Sequence, residues 1–351
     1  MEDTTRWDDL EDETILPFTS PEHDELGVLT STRHVVEVGE RVWIHHEQIE
    51  QLSGQWIHAF STPSIEDAAM WENSYHFFDG TERTINWMLL LDALNFCFWG
   101  EKDSPRWQIE YEGEILNGYW AEAASLTRAV NEGIPLWDAQ YLSTISEEIV
   151  AHIFRPIPDA PPIPLFGLRV AHAREVGRVL LDGYDGQFTN AIEQVRGDAG
   201  QLVLLLAEHF PSFRDVALYQ GHEVRFFKRA QICVADIHGA FHGQHWGAFT
   251  NMNVLTCFAD YKVPQILRHY GILEYEPTLA RKVDAQEQIP MGSEEEVEIR
   301  ASTIWACELL RQELLRQGHG MNATEIDQRL WFLAQDAQEM RPYHRTRTPF
   351  Y

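Results

Sequence analysis

The stretch RTINWMLLLDALNFCFW, residues 83–99, is apolar on nearly every side of a helical projection. A helix that is hydrophobic all round has no face for water, so other elements must enclose it. With 351 residues and 44% hydrophobic content, the chain is long enough to supply that enclosure. No apolar run reaches the roughly 18 residues of a membrane span, and the opening MEDTTRWDDLEDE lacks the basic and then apolar layout of a signal peptide. The expectation is a soluble, cytoplasmic protein without a membrane partner.

The first 25 residues carry ten acids and one Arg, a composition that suits a loosely docked arm over 1–26. A first lobe over 27–155 follows. In it, STRHVVEV offers a helix start and ERVWIHHEQIEQL continues in a helical pattern. Beyond the central apolar segment, RWQIEYEGEILNGYW alternates on either side of Glu112 and Gly113, as a β-hairpin does. AEAASLTRAVNEGIP then reads as a helix stopped by Gly133 and Pro135. Five prolines in PIPDAPPIP mark 156–164 as a linker, and 165–351 is helix after helix. The fold class expected is mainly α with a small β-hairpin, in two coupled lobes.

Cys97, Cys233, Cys257 and Cys307 lie far apart in apolar contexts without a CxxC pair, so buried, reduced thiols are expected. Sixteen histidines show no metal-ligand spacing beyond the weak HGQHWG at 242–247, which reads as surface, and no phosphate-loop or dinucleotide-loop glycine pattern occurs. The charge balance, 27 basic against 55 acidic residues for a net −28, disfavours a polymeric nucleic acid as partner. Such binding draws on several Lys or Arg contacts to phosphate.

Three charged residues have both a structural and a chemical reading. Asp260 lies between Phe258 and Tyr261, just ahead of a face made by Val263, Ile266, Leu267 and Tyr270. By pattern alone it is a helix cap, with Pro264 in the first turn and Gly271 at the stop. The same amides would also anchor an anion beside aromatic walls, where it would attract a developing oxocarbenium ion more strongly than in water. Asp327, in Thr324-Glu325-Ile326-Asp327, resembles the acid of a capping box. Lys228 borders the stripe Phe226, Ala230, Cys233, Ile237 and Phe241, where a lysine normally reaches out to solvent. With Arg229 it would instead form the basic end of a pocket for one phosphate.

The chain from about 27 to 351 resembles the queuosine salvage family, the queuosine 5′-phosphate N-glycosylases. The resemblance rests on NWMLLLDALNFCFW, GYW followed by AVNEGIP, FPSFRDV, FKRAQICVAD, FADYKVPQIL, EVEIRASTIWACELLR and the closing PYHRTRTPFY. More distantly, FADYKVPQIL is similar to the V-D-x-H-x-x-R-V segment of helix-hairpin-helix DNA glycosylases, which implies a DNA-glycosylase-like helical architecture. The glycine-rich hairpin of that superfamily is missing, and Lys228 lies 32 residues before Asp260, further than in that superfamily. No lyase role is therefore carried over to Lys228.

What the family resemblance implies is hydrolysis of the N-glycosidic bond of queuosine 5′-monophosphate to queuine and ribose 5-phosphate, with no metal or organic cofactor. Phe258 and Asp260 fall on its base-pocket and catalytic positions, and Asp327 on the acid that reads the base. The family's nearby aromatic and second acid are replaced by Gln328 and Phe332. The N-terminal pocket histidine fits His76, with His58 competing. Tyr261 is a further stacking candidate, and Lys228, Arg229, Arg345 and Arg347 are candidates for the 5′-phosphate. Two rival readings are a DNA or RNA base glycosylase and a non-catalytic protein that binds a modified nucleotide.

Overall fold

The computed structural model describes residues 24–60, 70–71, 73–337 and 339–351. Most of the proposed acidic arm, 1–23, lies outside them. The chain divides into two compact units that do not follow its order. The first takes 1–64, 215–228 and 251–347, and the second takes 65–214, 229–250 and 348–351.

The chain begins in the first unit with α1 (Val28–Val38), β1 (Val42–Ile44) and α2 (His46–Phe60). The second unit follows with α3 (Glu82–Leu94), β2 (Gln108–Tyr111), β3 (Glu114–Asn117), α4 (Gly118–Asn131), α5 (Ala139–Ser143) and α6 (Glu147–Ile153). It continues through α7 (Phe166–Gly183), α8 (Phe188–Val195) and α9 (Ala199–His209). The strands β4 (Val216–Tyr219) and β5 (His222–Arg225) return to the first unit, together with Lys228, which opens α10 (Lys228–Ala240). The rest of α10 belongs to the second unit. The first unit is then completed by α11 (Lys262–His269), β6 (Leu273–Tyr275), α12 (Pro277–Asp284), α13 (Glu294–Arg316) and α14 (Ala323–Asp336). The fold is mainly α, and the described strands form three two-stranded antiparallel pairs: β1–β6, β2–β3 and β4–β5.

The β2–β3 hairpin turns at Glu112 and Gly113 as expected, both at positive φ. One expectation is corrected. Residues 42–44 form a strand instead of continuing a helix, with Val42 opposite Tyr275 and Ile44 opposite Leu273. A Val-Trp-Ile run suits a pleated, half-buried surface, and β6 supplies the backbone partners that decide it. The proline-rich 156–164 lies inside the second unit.

In the second unit α3 buries every residue from Thr84 to Leu94, as its apolar circumference requires. It ends at Leu94 rather than running to 99. Its last carbonyls are then left without helical partners inside a dry core, which is costly unless donors arrive. Arg229 donates to the carbonyls of Asp92 and Ala93, and Arg169 of α7 to that of Leu94 and to those of Phe96 and Cys97 just beyond, while the Cys97 N–H donates to Tyr351 O at 2.9 Å. In the first unit, Ile49, Val263, Ile266, Leu310, Ile326 and Leu330 belong to one buried cluster spanning α2, α11, α13 and α14. The four cysteines are free and buried.

The tightest helix approach in the second unit is α7 on α5, made possible by Gly177. A Cβ there would sit 2.2 Å from Ser143 N and 2.6 Å from Ala139 O, both backbone atoms that cannot swing aside. Gly177→Ala is therefore expected to lower the unfolding free energy by about 2–3 kcal/mol in urea titrations. Unchanged stability would mean that the two helices do not hold this separation in solution.

Candidate active site

In the first unit, Asp215 and Arg300 tie three segments together. The Arg300 guanidinium, from the middle of α13, forks onto both oxygens of Asp215 at 2.9 and 2.5 Å, and its Nε donates to Ala259 O at 3.1 Å. It lies 3.8 Å above the Phe226 ring. Asp215 also accepts from the Lys228 N–H at 3.2 Å, on the same oxygen that takes the Arg300 fork. One buried ion pair thus fixes the start of α10 and the loop that carries Phe258 and Asp260. Removing either partner of such a pair strands the other charge, at about 3–5 kcal/mol.

Asp260 sits one residue ahead of the α11 N-cap position and is 8% exposed. Its Oδ1 accepts from Lys262 N at 2.7 Å and from Val263 N at 2.8 Å. Pro264 comes next and has no N–H to offer. The capping expectation therefore holds, and one oxygen suffices for it. Oδ2 accepts no hydrogen bond among the described residues. Burial pushes the Asp260 carboxyl up, against the Lys228 charge, the two amides and the Lys262 charge, all of which favour its ionised form.

Asp327 is corrected from a capping role. The α14 cap is Asn322, whose N–H donates to Glu325 at 2.6 Å, closing a capping box two residues earlier than the pattern suggested. Asp327 instead turns inward from α14. Its Oδ1 accepts from Phe258 N at 2.8 Å and from Cys257 Sγ at 3.0 Å. Its Oδ2, like that of Asp260, accepts no hydrogen bond among the described residues. Burial pushes this carboxyl up to about 7, helped by the Asp260 charge and opposed by Cys257, the Phe258 N–H and Lys228. Lys228 is also corrected: it is buried rather than reaching for solvent, and its cation acts on both acids.

The other sequence-nominated residues divide by unit. In the first, Phe258 is buried beside Asp260, and half-buried Tyr261 packs on Tyr343 with ring centroids 4.8 Å apart. Gln328 and Phe332 are half-buried on α14. Arg345 is buried, and its carbonyl accepts from Ile289 N at 2.8 Å. Arg347 is half-buried and His58 is exposed on α2.

In the second unit, His76 is buried in an aromatic nest, 4.2 Å from Trp71 between ring centroids, with Nε2 2.9 Å from the Tyr119 hydroxyl. Burial pushes its imidazole down to about 3, so it is neutral. Arg229 is likewise buried, and its guanidinium is committed to the carbonyls of Asp92, Ala93 and Ser212. Those bonds remove it from the phosphate candidates.

Sequence reasoning missed Asp215, Arg300 and Cys257. An arginine in the middle of the apolar run IRASTIWA signals a buried partner, and it went unread. It also missed the fully buried Asp92 and Glu122 of the second unit; burial pushes the Tyr119 hydroxyl well above its ordinary value, and the charges of Asp236, Asp92 and Glu122 add to that.

Comparison with known proteins gives this arrangement a context. The profile of the family described as "Queuosine salvage protein" matches residues 75–351. The chain belongs to the queuosine salvage protein family. Among curated members, a Sphaerobacter thermophilus protein is 48% identical over 332 residues, 93% of this chain and 98% of its own length. A Mus musculus protein is 36% identical over 92% of this chain and 97% of its own, and a Schizosaccharomyces pombe protein 36% over 73% and 76%. All three are named queuosine 5′-phosphate N-glycosylase/hydrolase. The profile match includes every segment that carries Asp215, Lys228, Asp260, Arg300 and Asp327. No helix among the described residues is long and apolar enough to cross a membrane.

The Asp327 carboxyl yields a stability prediction. Its folded value, about 7, lies above the ordinary carboxylate value of 3.8, so the folded state holds the proton more tightly than the unfolded chain does. This contribution to stability is present below the unfolded value and is lost as pH rises through the folded one. Asp327→Asn cannot titrate, so its stability relative to the parent should increase from about pH 5 to about pH 8 and end on the order of 3 kcal/mol higher. A stability difference that stays flat across that range, followed by thermal unfolding, would refute the assignment.

Proposed function

We propose that the chain hydrolyses the N-glycosidic bond of queuosine 5′-monophosphate, releasing queuine and ribose 5-phosphate in the cytoplasm. The carrying observation is Asp260: a buried carboxylate fixed through one oxygen by two helix amides, with the other oxygen uncommitted. Queuine is a 7-deazapurine, so the ring position that purine hydrolases protonate is carbon. Departure of the base must be helped through its remaining polar edge and through the sugar.

In this reading the free oxygen of Asp260 faces the sugar. It stabilises the oxocarbenium-like carbon and takes a proton from the water that attacks opposite the base. Lys228 keeps Asp260 ionised in its dry setting until positive charge develops on the sugar. Asp327, in its charged form, accepts hydrogen bonds from the ring N–H and the exocyclic amino group, and Phe258 and Tyr261 stack on the base. Lys228 and Arg345 are the first-unit cations offered to the 5′-phosphate, and Gln328 lies next to the base-reading acid. The net −28 speaks against a nucleic-acid polymer as substrate.

Incubation with queuosine 5′-monophosphate, followed by chromatography, should yield free queuine. Recovery of intact nucleotide would mean a binding protein instead. Asp260→Asn should lose at least about 100-fold in kcat while still binding nucleotide, because one well-placed electrostatic group supplies about 3–4 kcal/mol in the transition state. Turnover equal to the parent would remove Asp260 from the mechanism. Because Asp327 must be charged to accept the base, KM should rise as pH falls through about 7. A KM that stays level across that range would exclude this role.

A further inference from the structure

Two buried cysteines lead to Asp327. Cys257 Sγ donates to Oδ1 at 3.0 Å, and Cys307 on α13 is the second buried thiol whose setting includes both Cys257 and Asp327. Burial pushes both thiols up, so neither is a thiolate nucleophile. A thiol is a weak donor toward a neutral acceptor, but toward an ionised carboxylate shielded from water its bond is charge-assisted. With the Phe258 N–H on the same oxygen at 2.8 Å, Oδ1 receives two donors and the carboxylate plane is fixed. Oδ2 is the atom left to a ligand.

We propose that Cys257 is a positioning residue: its thiol orients Asp327 so that Oδ2 meets the polar edge of the base, and favours the charged carboxylate that can accept from it. The inference rests on the reading of Asp327 given above. The groups facing Asp327 come from four places: Cys257 and Asp260 in the 256–261 loop, Lys228 at the start of α10, Cys307 on α13, and Lys262 on α11 acting through Asp260. Asp260 opposes the Asp327 charge and Lys228 favours it. Cys257 contributes no charge and acts by direct contact alone, so its removal isolates the hydrogen bond.

The test follows the Asp327 carboxyl directly, by infrared difference titration of the band that Asp327→Asn abolishes, alongside the pH profile of kcat/KM. Cys257→Ala should move the infrared midpoint upward by about one pH unit, the worth of one hydrogen bond to a charged group, and move the acid limb of kcat/KM with it. Cys307→Ala removes a similar volume from the same core without touching the carboxylate, and should move the midpoint by less than half as much. Cys257→Ser keeps a donor, and a stronger one, so its midpoint should lie at or below that of the parent.

A Cys257→Ala midpoint that coincides with the parent's overturns the proposal, as does an equal shift in Cys307→Ala. Should Cys257→Ala fail to fold, the serine variant decides, and a midpoint above the parent's overturns it. A shifted infrared midpoint with an unmoved kcat/KM profile would leave the thiol's hold on Asp327 standing and would sink only the base-binding role.

Discussion

Much of the first unit's chemistry depends on the guanidinium of Arg300. A planar fork with five donors can satisfy a carboxylate and a carbonyl at once, and here it joins Asp215, the carbonyl of Ala259 and the face of Phe226. Those three contacts lie at the root of β4, beside Asp260 and just before α10. A lysine could carry the charge but could not hold the three directions together. A buried ion pair is weak evidence for stability, since its desolvation offsets its attraction. Its use here is geometric, because Asp215 sets the first amide of α10 while Arg300 sets the loop bearing the acid.

Among the charges buried in this unit, Asp260, Asp327 and Lys228 act on one another, and the three do not cancel. Lys228 acts on both acids, the helix amides act on Asp260, and among the described residues Asp327 accepts from a thiol and one amide. The less compensated acid is the one whose proton is held to about 7. Similar side chains are thereby given different proton affinities by their surroundings.

How much of this was legible in the sequence varies with the range of the interaction that decides each feature. The enclosed helix α3, the Glu112-Gly113 hairpin and the anchoring of Asp260 by its own helix follow from neighbours within a few residues, and periodicity and turn chemistry carry them. Residues 42–44 became a strand because of a partner more than 200 positions away, which no local pattern encodes. Lys228 was read as solvent-facing because a stripe beside a lysine says nothing of two acids arriving from α14 and the 256–261 loop. Asp327 was taken for a cap because Thr324 stands three residues before it, whereas Asn322 and Glu325 form the capping box and leave Asp327 to turn inward. The division into units was hidden for a similar reason, since the chain leaves the first unit and returns to it twice.

The proline at 264 has a meaning beyond starting a helix. An ordinary residue there would add a further N–H to the first turn of α11, beyond those of Lys262 and Val263 that Asp260 Oδ1 accepts. An imino acid adds none, so among the described residues this turn draws on one oxygen of the carboxylate. The demand that the helix makes on its acid is thus limited by a residue four positions downstream that makes no hydrogen bond to it.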